Sequence, residues 1–145
     1  MQRVGDFLSG DPVLTLNLHA SAFQAAQIMA RNKIGAMLVI DDQGILQGIF
    51  TERDLMTRVV VEGLDARTTK LRDVMTREVF SVDRDQKVCE VRSELQRRHI
   101  RHLPVVDQGR VVGMLSLRDI LRADLEEKSS EVRALEDYFI GGTGT

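Results

Sequence analysis

The sequence has few of the residues that mark disulfide frameworks, secretion signals or membrane spans. Its 145 residues include a single cysteine, Cys89, so no intramolecular disulfide can form. Its longest apolar run, residues 34–40, is far shorter than the roughly 20 residues that cross a bilayer. The N-terminus lacks the apolar core of a signal peptide. We therefore expect a cytoplasmic protein without a membrane partner, and Cys89, between Val88 and Val91 in a predicted helix, is expected to be buried.

An excess of positive charge is also missing. The chain has 20 basic and 22 acidic residues, and its net charge of -2 disfavours nucleic acid as a partner. It has no nucleophile elbow, P-loop, dinucleotide fingerprint or zinc motif. With three histidines and one cysteine, it offers few catalytic or metal-binding groups. We expect a globular protein that is not an enzyme and holds neither a metal nor a catalytic cofactor.

The chain repeats itself once. Residues in the first half recur 66 positions later up to the turn at 41–44, where one residue is lost, and 65 positions later beyond it. The matched pairs include Val13 with Val79, Ile34 with Ile100, Asp41 with Asp107, Gly48 with Gly113, Thr51 with Ser116, and Asp54 with Asp119. Turns tolerate insertions and deletions, so this change of spacing is typical of an internal duplication.

Each repeat has the apolar periodicity of a βαββα unit, which places the chain in the α/β (α+β) class. The predicted strands are 13–16, 36–40 and 45–50, and then 79–82, 103–106 and 111–115. The predicted helices begin at Ser21, Glu52, Gln86 and Leu117; the second spans 52–60 and the third 86–98. The expected organisation is a first repeat at 1–62, a linker at 63–70, a second repeat at 71–125, and a C-terminal segment at 126–145.

The C-terminal segment contains one further predicted helix, from Ser129 to Ile140. Val132, Leu135 and Phe139 lie three and four residues apart, which puts them on one helical face. Gly141 and Gly142 are expected to end the helix, and 141–145 to be disordered. The apolar face packs either on its own domain or on a second subunit, and the sequence leaves both open.

The most informative motif occurs where the third strand of each repeat enters a helix. Thr51 and Asp54 in the first repeat, and Ser116 and Asp119 in the second, place a hydroxyl and a carboxylate three residues apart, each preceded by a glycine. In one interpretation they cap the helix. In the other, the hydroxyl and the free amides of the first turn receive a phosphate, and the carboxylate accepts hydrogen bonds from ribose. Capping boxes usually use the longer Glu or Gln, whereas both repeats have Asp and also keep a glycine, Gly48 or Gly113, three residues before the hydroxyl. These two features favour the ligand interpretation.

Residues 4–122 resemble a tandem pair of cystathionine β-synthase (CBS) domains. The resemblance is carried by the two glycine-hydroxyl-Asp motifs and by Ile100-Arg101-His102-Leu103-Pro104-Val105-Val106-Asp107. It implies two repeats related by pseudo-two-fold symmetry, with adenine nucleotides such as AMP, ATP or NAD in the clefts. By this resemblance, strand backbone near Thr15, Ile34, Gly35 and Ala36, and near Ser81, Ile100, Arg101 and His102, holds adenine. The resemblance likewise assigns ribose to Asp54 and Asp119 and phosphate to Thr51 and Ser116, and it implies a homodimer.

The two repeats differ at positions that bear on binding. Pro104 lacks an N–H and is expected to interrupt strand pairing next to the ligand, whereas the first repeat has Leu38 there. Arg101 and His102 stand where the first repeat has Gly35 and Ala36, and Arg118, the counterpart of Arg53, adds another cation. We expect the phosphates to be held chiefly in the second repeat. Arg97 and Arg98 suit the negative end of the preceding helix instead.

The sequence therefore predicts a regulatory module that binds an adenine nucleotide without turnover and signals to an unidentified effector protein. The alternative is a ligand-free interaction module whose hydroxyl-Asp motifs only cap helices.

Overall fold

The computed structural model describes residues 2–8, 13–98 and 102–143. Within these ranges it does not describe the side chains of 102, 116, 117, 119, 123, 124, 127 and 139–143. The predicted site residues Ile100 and Arg101 lie outside the described residues.

The first unit is a three-stranded sheet in the order β1-β2-β3, formed by Thr15–Asn17, Ala36–Ile40 and Leu46–Thr51. β1 runs parallel to β2, and β3 runs antiparallel to it. Helix α1, Ala22–Asn32, connects β1 to β2; Ser21 caps it by accepting a hydrogen bond from the Gln24 N–H at 3.1 Å. The predicted helix at 52–60 is a short α-helix, α2 at Glu52–Asp54, continued by a π-helical segment at Leu55–Val60.

The second unit repeats this topology with β4 at Val82–Asp83, β5 at His102–Asp107 and β6 at Arg110–Ser116. Helix α4, Val88–Arg98, crosses from β4 to β5, and α5, Leu117–Thr143, follows β6. Each unit has its own apolar core, with Phe50 and Met37 buried in the first and Leu103 and Leu115 in the second. The two sheets of matching topology confirm the predicted fold class.

Each core also includes the segment that begins the other half of the chain. Val4, in a 3₁₀ helix at Val4–Phe7, is fully buried in the core of the second unit. Leu71, in helix α3 at Leu71–Val74, is fully buried in the core of the first. The backbone contacts correspond: the Val4 N–H bonds to the Gln86 carbonyl at 2.9 Å, and the Leu71 N–H to the Ala20 carbonyl at 2.8 Å. The halves are therefore interlocked.

The two units also meet at their hairpin turns. The Leu46 N–H donates to the Gly109 carbonyl at 3.1 Å, and the Val111 N–H donates to the Gly44 carbonyl at 3.4 Å. The two hydrogen bonds are equivalent in the repeat, because residue 46 corresponds to 111 and residue 44 to 109 at the 65-residue offset. In each bond, the N–H of one unit donates to the carbonyl of the other unit. This equivalence is the signature of pseudo-two-fold symmetry.

Two local predictions were wrong. Cys89 is exposed, because Val88 and Val91 take the buried face of α4 and Cys89 lies on the other side. The separate tail helix is part of one helix, α5, which continues past Gly141 and Gly142 to Thr143. Residues 121–128 are mostly strong helix formers, so no break separates the two parts. Among the described residues, no helix combines the length and apolar character needed to cross a membrane.

Candidate functional site at the sheet ends

Thr51 and Asp54 form a reciprocal capping box where β3 enters α2. The Thr51 hydroxyl accepts from the Asp54 N–H, and the Thr51 N–H donates to Asp54 Oδ2, both at 3.1 Å. The capping interpretation of this motif therefore describes the first repeat in this structure. A ligand role for the same two residues has to be compatible with these bonds.

Asp54 has further partners beyond the helix. The residue is buried, at 6% exposure, and the Thr76 hydroxyl donates to its two carboxylate oxygens at 3.2 and 3.3 Å. Arg58 approaches with Nε 3.5 Å from Oδ1 and donates from Nη1 to the Met75 carbonyl at 2.9 Å. A carboxylate offers about four acceptor positions, so this one is largely occupied. The sequence did not indicate Thr76 or Arg58, which come from outside the motif.

The other predicted residues of the first repeat lie at the same end of its sheet. Thr15 and Ala36 stand at the starts of the parallel strands β1 and β2, and Ala36 pairs with Thr51 at the end of β3. Gly35 accepts a hydrogen bond from the Glu52 N–H at 3.0 Å, and a Cβ on Gly35 would lie 3.2 Å from Glu52 Oε1. The exposed side chain of Arg53 follows. A carboxylate thus stands beside Gly35 at this sheet end, where it disfavours a phosphate.

The second unit places its corresponding backbone in the same way. β5 begins at His102, which pairs with Ser116 at the end of β6, and Ser81 directly precedes β4. Arg118 is exposed on the first turn of α5. The side chains of His102, Ser116 and Asp119 are outside the described part of the chain, so their convergence with Arg101 stays a prediction.

Pro104 changes the pairing of its strand as expected. In the first unit, parallel pairing begins with Thr15 opposite Leu38. In the second it begins one residue later, with Val82 opposite Val105, so Pro104 has no partner in β4. Pro104 is buried and pairs with Met114 on the β6 side. The missing N–H thus leaves backbone next to Ser81 outside the ladder.

The motif glycines have a packing role that sequence reasoning missed. A Cβ on Gly48 would lie 2.7 Å from both the Thr76 carbonyl and the Met75 sulfur. Thr76 pairs with Ile49 through two backbone hydrogen bonds of 2.9 and 2.8 Å. A Cβ on Gly113 would collide with the Leu8 side chain. Each glycine admits the segment exchanged from the other half, so it is not by itself a sign of a ligand.

Two cavities lie beside residues 75–81, the segment between α3 and β4. One, of about 180 Å³, lies where the hairpins meet and is lined in part by Ser81, Val79, Leu46 and Arg77. The other, of about 470 Å³, lies beside Asp54 and is lined by Arg58, Arg72, Asp73, Met75, Thr76, Arg77 and Glu78. Ligand pockets are usually about 300–1,000 Å³, so the first cavity is smaller than a nucleotide needs. Arg77, which the sequence analysis did not single out, borders both.

The cations at the end of α4 are engaged within their own helix. Glu94 Oε2 accepts from Arg97 Nη2 at 2.7 Å and from Arg98 Nε at 3.1 Å. These two hydrogen bonds hold the pKa of Glu94 below its ordinary value. The guanidinium of Arg98 also stacks 4.4 Å over the Phe80 ring. Arg97 and Arg98 are thus engaged within their own unit, while their expected interaction with the negative end of the helix stays a prediction.

Comparison with known proteins yields one family. The CBS domain model matches residues 4–61 and 71–126. The chain is 32% identical over 126 residues to the mitochondrial CBS domain-containing protein CBSX3 of Arabidopsis thaliana, covering 84% of this chain and 61% of that protein. It spans 19% to 20% of the next three curated relatives.

Two solved structures agree. The CBS-domain containing protein ATU1752 from Agrobacterium tumefaciens is 31% identical with a TM-score of 0.70, covering 85% of this chain and 99% of that one. The CBS domain pair of protein MJ0100, solved with 5'-methylthioadenosine and S-adenosyl-L-methionine, is 29% identical with a TM-score of 0.72, covering 88% and 98%. The repeated βαββα units, their interlocked cores and these matches show that the chain belongs to the CBS domain family, as a tandem pair.

Proposed function

We propose that the chain is a regulatory module that binds an adenine nucleotide without catalysing its conversion. The observation that carries this proposal is the likeness to the MJ0100 domain pair, whose two ligands both contain an adenosyl group, that is, adenine on a ribose ring. The sheet-end geometry supports it, because each unit brings strand starts, a helix start and a hydroxyl-Asp motif to one edge. Backbone donors and acceptors of this kind read the edge of a base.

The proposal predicts selectivity for adenine over guanine. AMP, ATP and NAD should raise the melting temperature, and GTP should not, because backbone groups distinguish the two base edges. Ligand at 100 times its dissociation constant should add about 2.7 kcal/mol to the free energy of unfolding. The measurement is a thermal shift series, with mass spectrometry of freshly purified protein to detect co-purified nucleotide. Equal shifts for ATP and GTP would contradict base recognition.

A second candidate function has its own observation. Asp54 is buried and bonded to Thr51, Thr76 and Arg58, as expected for a motif that only caps a helix. A ligand-free interaction module would show no shift with any nucleotide and no co-purified ligand. The same two measurements therefore separate the candidates.

Within the nucleotide proposal, the two sites are unequal, and the phosphates are held in the second unit by Ser116, Arg118, Asp119, Arg101 and His102. The carboxylate of Glu52 beside Gly35 supports this asymmetry. The residue corresponding to Glu52 in the second repeat is the neutral Leu117. Like charges repel, so a phosphate is favoured on the second side.

The same proposal includes a homodimer and an effector protein. Leu125, Val132 and Leu135 are more than half exposed on α5, and an apolar stripe of this kind is typical of a protein interface. The effector is the protein whose activity the nucleotide controls through this module.

A further inference from the structure

Helix α5 extends beyond the unit to which it belongs. Ile120 is buried in the core of the second unit, but from Leu121 to Tyr138 every described side chain is exposed. Leu121 is 43% exposed, and Tyr138 74%. Most helical stability in proteins comes from tertiary packing of an apolar face, and the described apolar side chains of this segment stay exposed in one copy of the chain. The projecting part of α5 therefore needs a partner.

Leu121, Leu125, Val132 and Leu135 are four exposed apolar residues of α5 that follow a heptad spacing, which Lys128 and Phe139 continue in the sequence. The six positions 121, 125, 128, 132, 135 and 139 are 4, 3, 4, 3 and 4 residues apart. We call them the seam; its residues are Leu121, Leu125, Lys128, Val132, Leu135 and Phe139. This spacing is the a/d pattern of a coiled coil. Lys128 is its single charged member, and a charge at one core position specifies register and orientation.

We propose that α5 pairs in the antiparallel direction with α5 of a second copy, with residue 121 of one helix opposite residue 139 of the other. This pairing rests on the proposed homodimer and assigns its geometry. In this register all six seam positions are matched, and Lys128 lies opposite Val132 instead of opposite itself. A parallel pair in register would bring two Lys128 side chains together in the seam, with an electrostatic cost.

The flanking charges favour the same direction. The seam spacing puts Leu121, Lys128 and Leu135 at d positions, so Arg122 and Glu136 are e positions and Glu131 is a g position. In antiparallel coiled coils each e position faces an e position of the partner. Arg122 then lies beside Glu136 of the second copy, twice by symmetry, and Lys128 comes within reach of Glu131 of the second copy. Each g position likewise faces a g position, so Glu131 lies near Glu131 of the second copy once, with Lys128 of each copy beside that pair. In the parallel arrangement Glu131 would face Glu136 twice, and no opposite charge would lie beside them. Opposite charges meet only in the antiparallel pair.

Disulfide trapping in a Cys89→Ser background tests the direction. Residues 125 and 135 lie in opposed layers of the antiparallel pair, so the double variant Leu125→Cys/Leu135→Cys should form covalent dimers under oxidation. Each single variant should not, because residue 125 never faces itself. The two cysteines cannot pair within one helix, since they are about 15 Å apart along its axis. Covalent dimers from either single variant would show a parallel pair and overturn the proposal.

Charge exchange tests the direction without cysteines. Glu136→Arg should raise the dimer dissociation constant about tenfold, because two attractive rim pairs become repulsive. Adding Arg122→Glu should restore it. In a parallel pair Glu136→Arg would instead tighten the dimer, against Glu131. Sedimentation equilibrium provides the measurement: a monomer at micromolar concentration overturns this pairing together with the homodimer, whereas a dimer insensitive to both changes overturns the pairing alone.

Discussion

At the residue scale, the sequence context of Asp54 fits two different roles. The sequence allows it to cap a helix or to bind ribose, since both need a carboxylate three residues after a hydroxyl. Its hydrogen bonds to the Thr51 N–H and the Thr76 hydroxyl connect β3, α2 and the segment between α3 and β4. Asp54 therefore stabilises the structure of the first unit, independently of any role in nucleotide binding.

We expect Asp54→Ala to lower the free energy of unfolding by about 2–3 kcal/mol, because it leaves the Thr51 N–H and the Thr76 hydroxyl without their acceptor. Thr76→Val removes one donor and should cost about 1 kcal/mol. Urea unfolding of both variants measures the difference. An Asp54→Ala variant as stable as the parent would show that these hydrogen bonds contribute nothing net.

At the scale of elements, β3 and β6 are built alike to receive an exchanged segment, but the contacts differ in kind. Gly48 faces a backbone carbonyl, that of Thr76, and the Met75 side chain. The atoms nearest to a Cβ added at Gly113 belong to the Leu8 side chain. A side chain can rotate away from an added methyl group, whereas a hydrogen-bonded backbone cannot.

Gly48→Ala should therefore destabilise the protein more than Gly113→Ala, its counterpart in the repeat. We expect about 1–3 kcal/mol for Gly48→Ala, the usual cost of overpacking, and a smaller loss for Gly113→Ala. Thermal and urea unfolding of the two variants test this ranking. The reverse order would mean that Leu8 is held more rigidly than Thr76.

At the scale of the whole molecule, the two units share one topology, but their sequences differ in charge at matching positions. The repeat predicts two equivalent sites. Glu52, Gly35 and Ala36 on one side, against Leu117, Arg101 and His102 on the other, predict unequal ones.

Titration calorimetry with AMP tests the inequality. Asp119→Ala and Arg101→Ala should each weaken binding by about 1.5–3 kcal/mol, the cost of losing a charge-assisted hydrogen bond. Asp54→Ala should weaken it less, once its unfolded fraction is measured and subtracted. Loss of AMP binding in Asp54→Ala, with Asp119→Ala unaffected, would assign the phosphates to the first unit instead.

The sequence alone determined the duplication, the order of strands and helices, and the fold class. These follow from local periodicity and from matching residues at a fixed offset, such as Gly48 with Gly113. It also predicted the effect of Pro104, because a missing N–H acts on its own strand. The family resemblance that the motifs suggested is shown by the matches to CBS domains.

Only the tertiary structure decided which contacts those residues make. Val4 and Leu71 are apolar residues near the starts of the two halves, and nothing local in the sequence shows which core they join. Each is buried in the core of the other half, which depends on how the assembled halves pack. Thr76 and Arg58 bind Asp54 from 22 and 4 residues away, at positions no motif marks. Cys89 and the continuous α5 were mispredicted because the facing of a helix and its extent beyond a core depend on packing with distant residues. Periodicity is local, whereas burial and hydrogen-bond partners are set by the assembled chain.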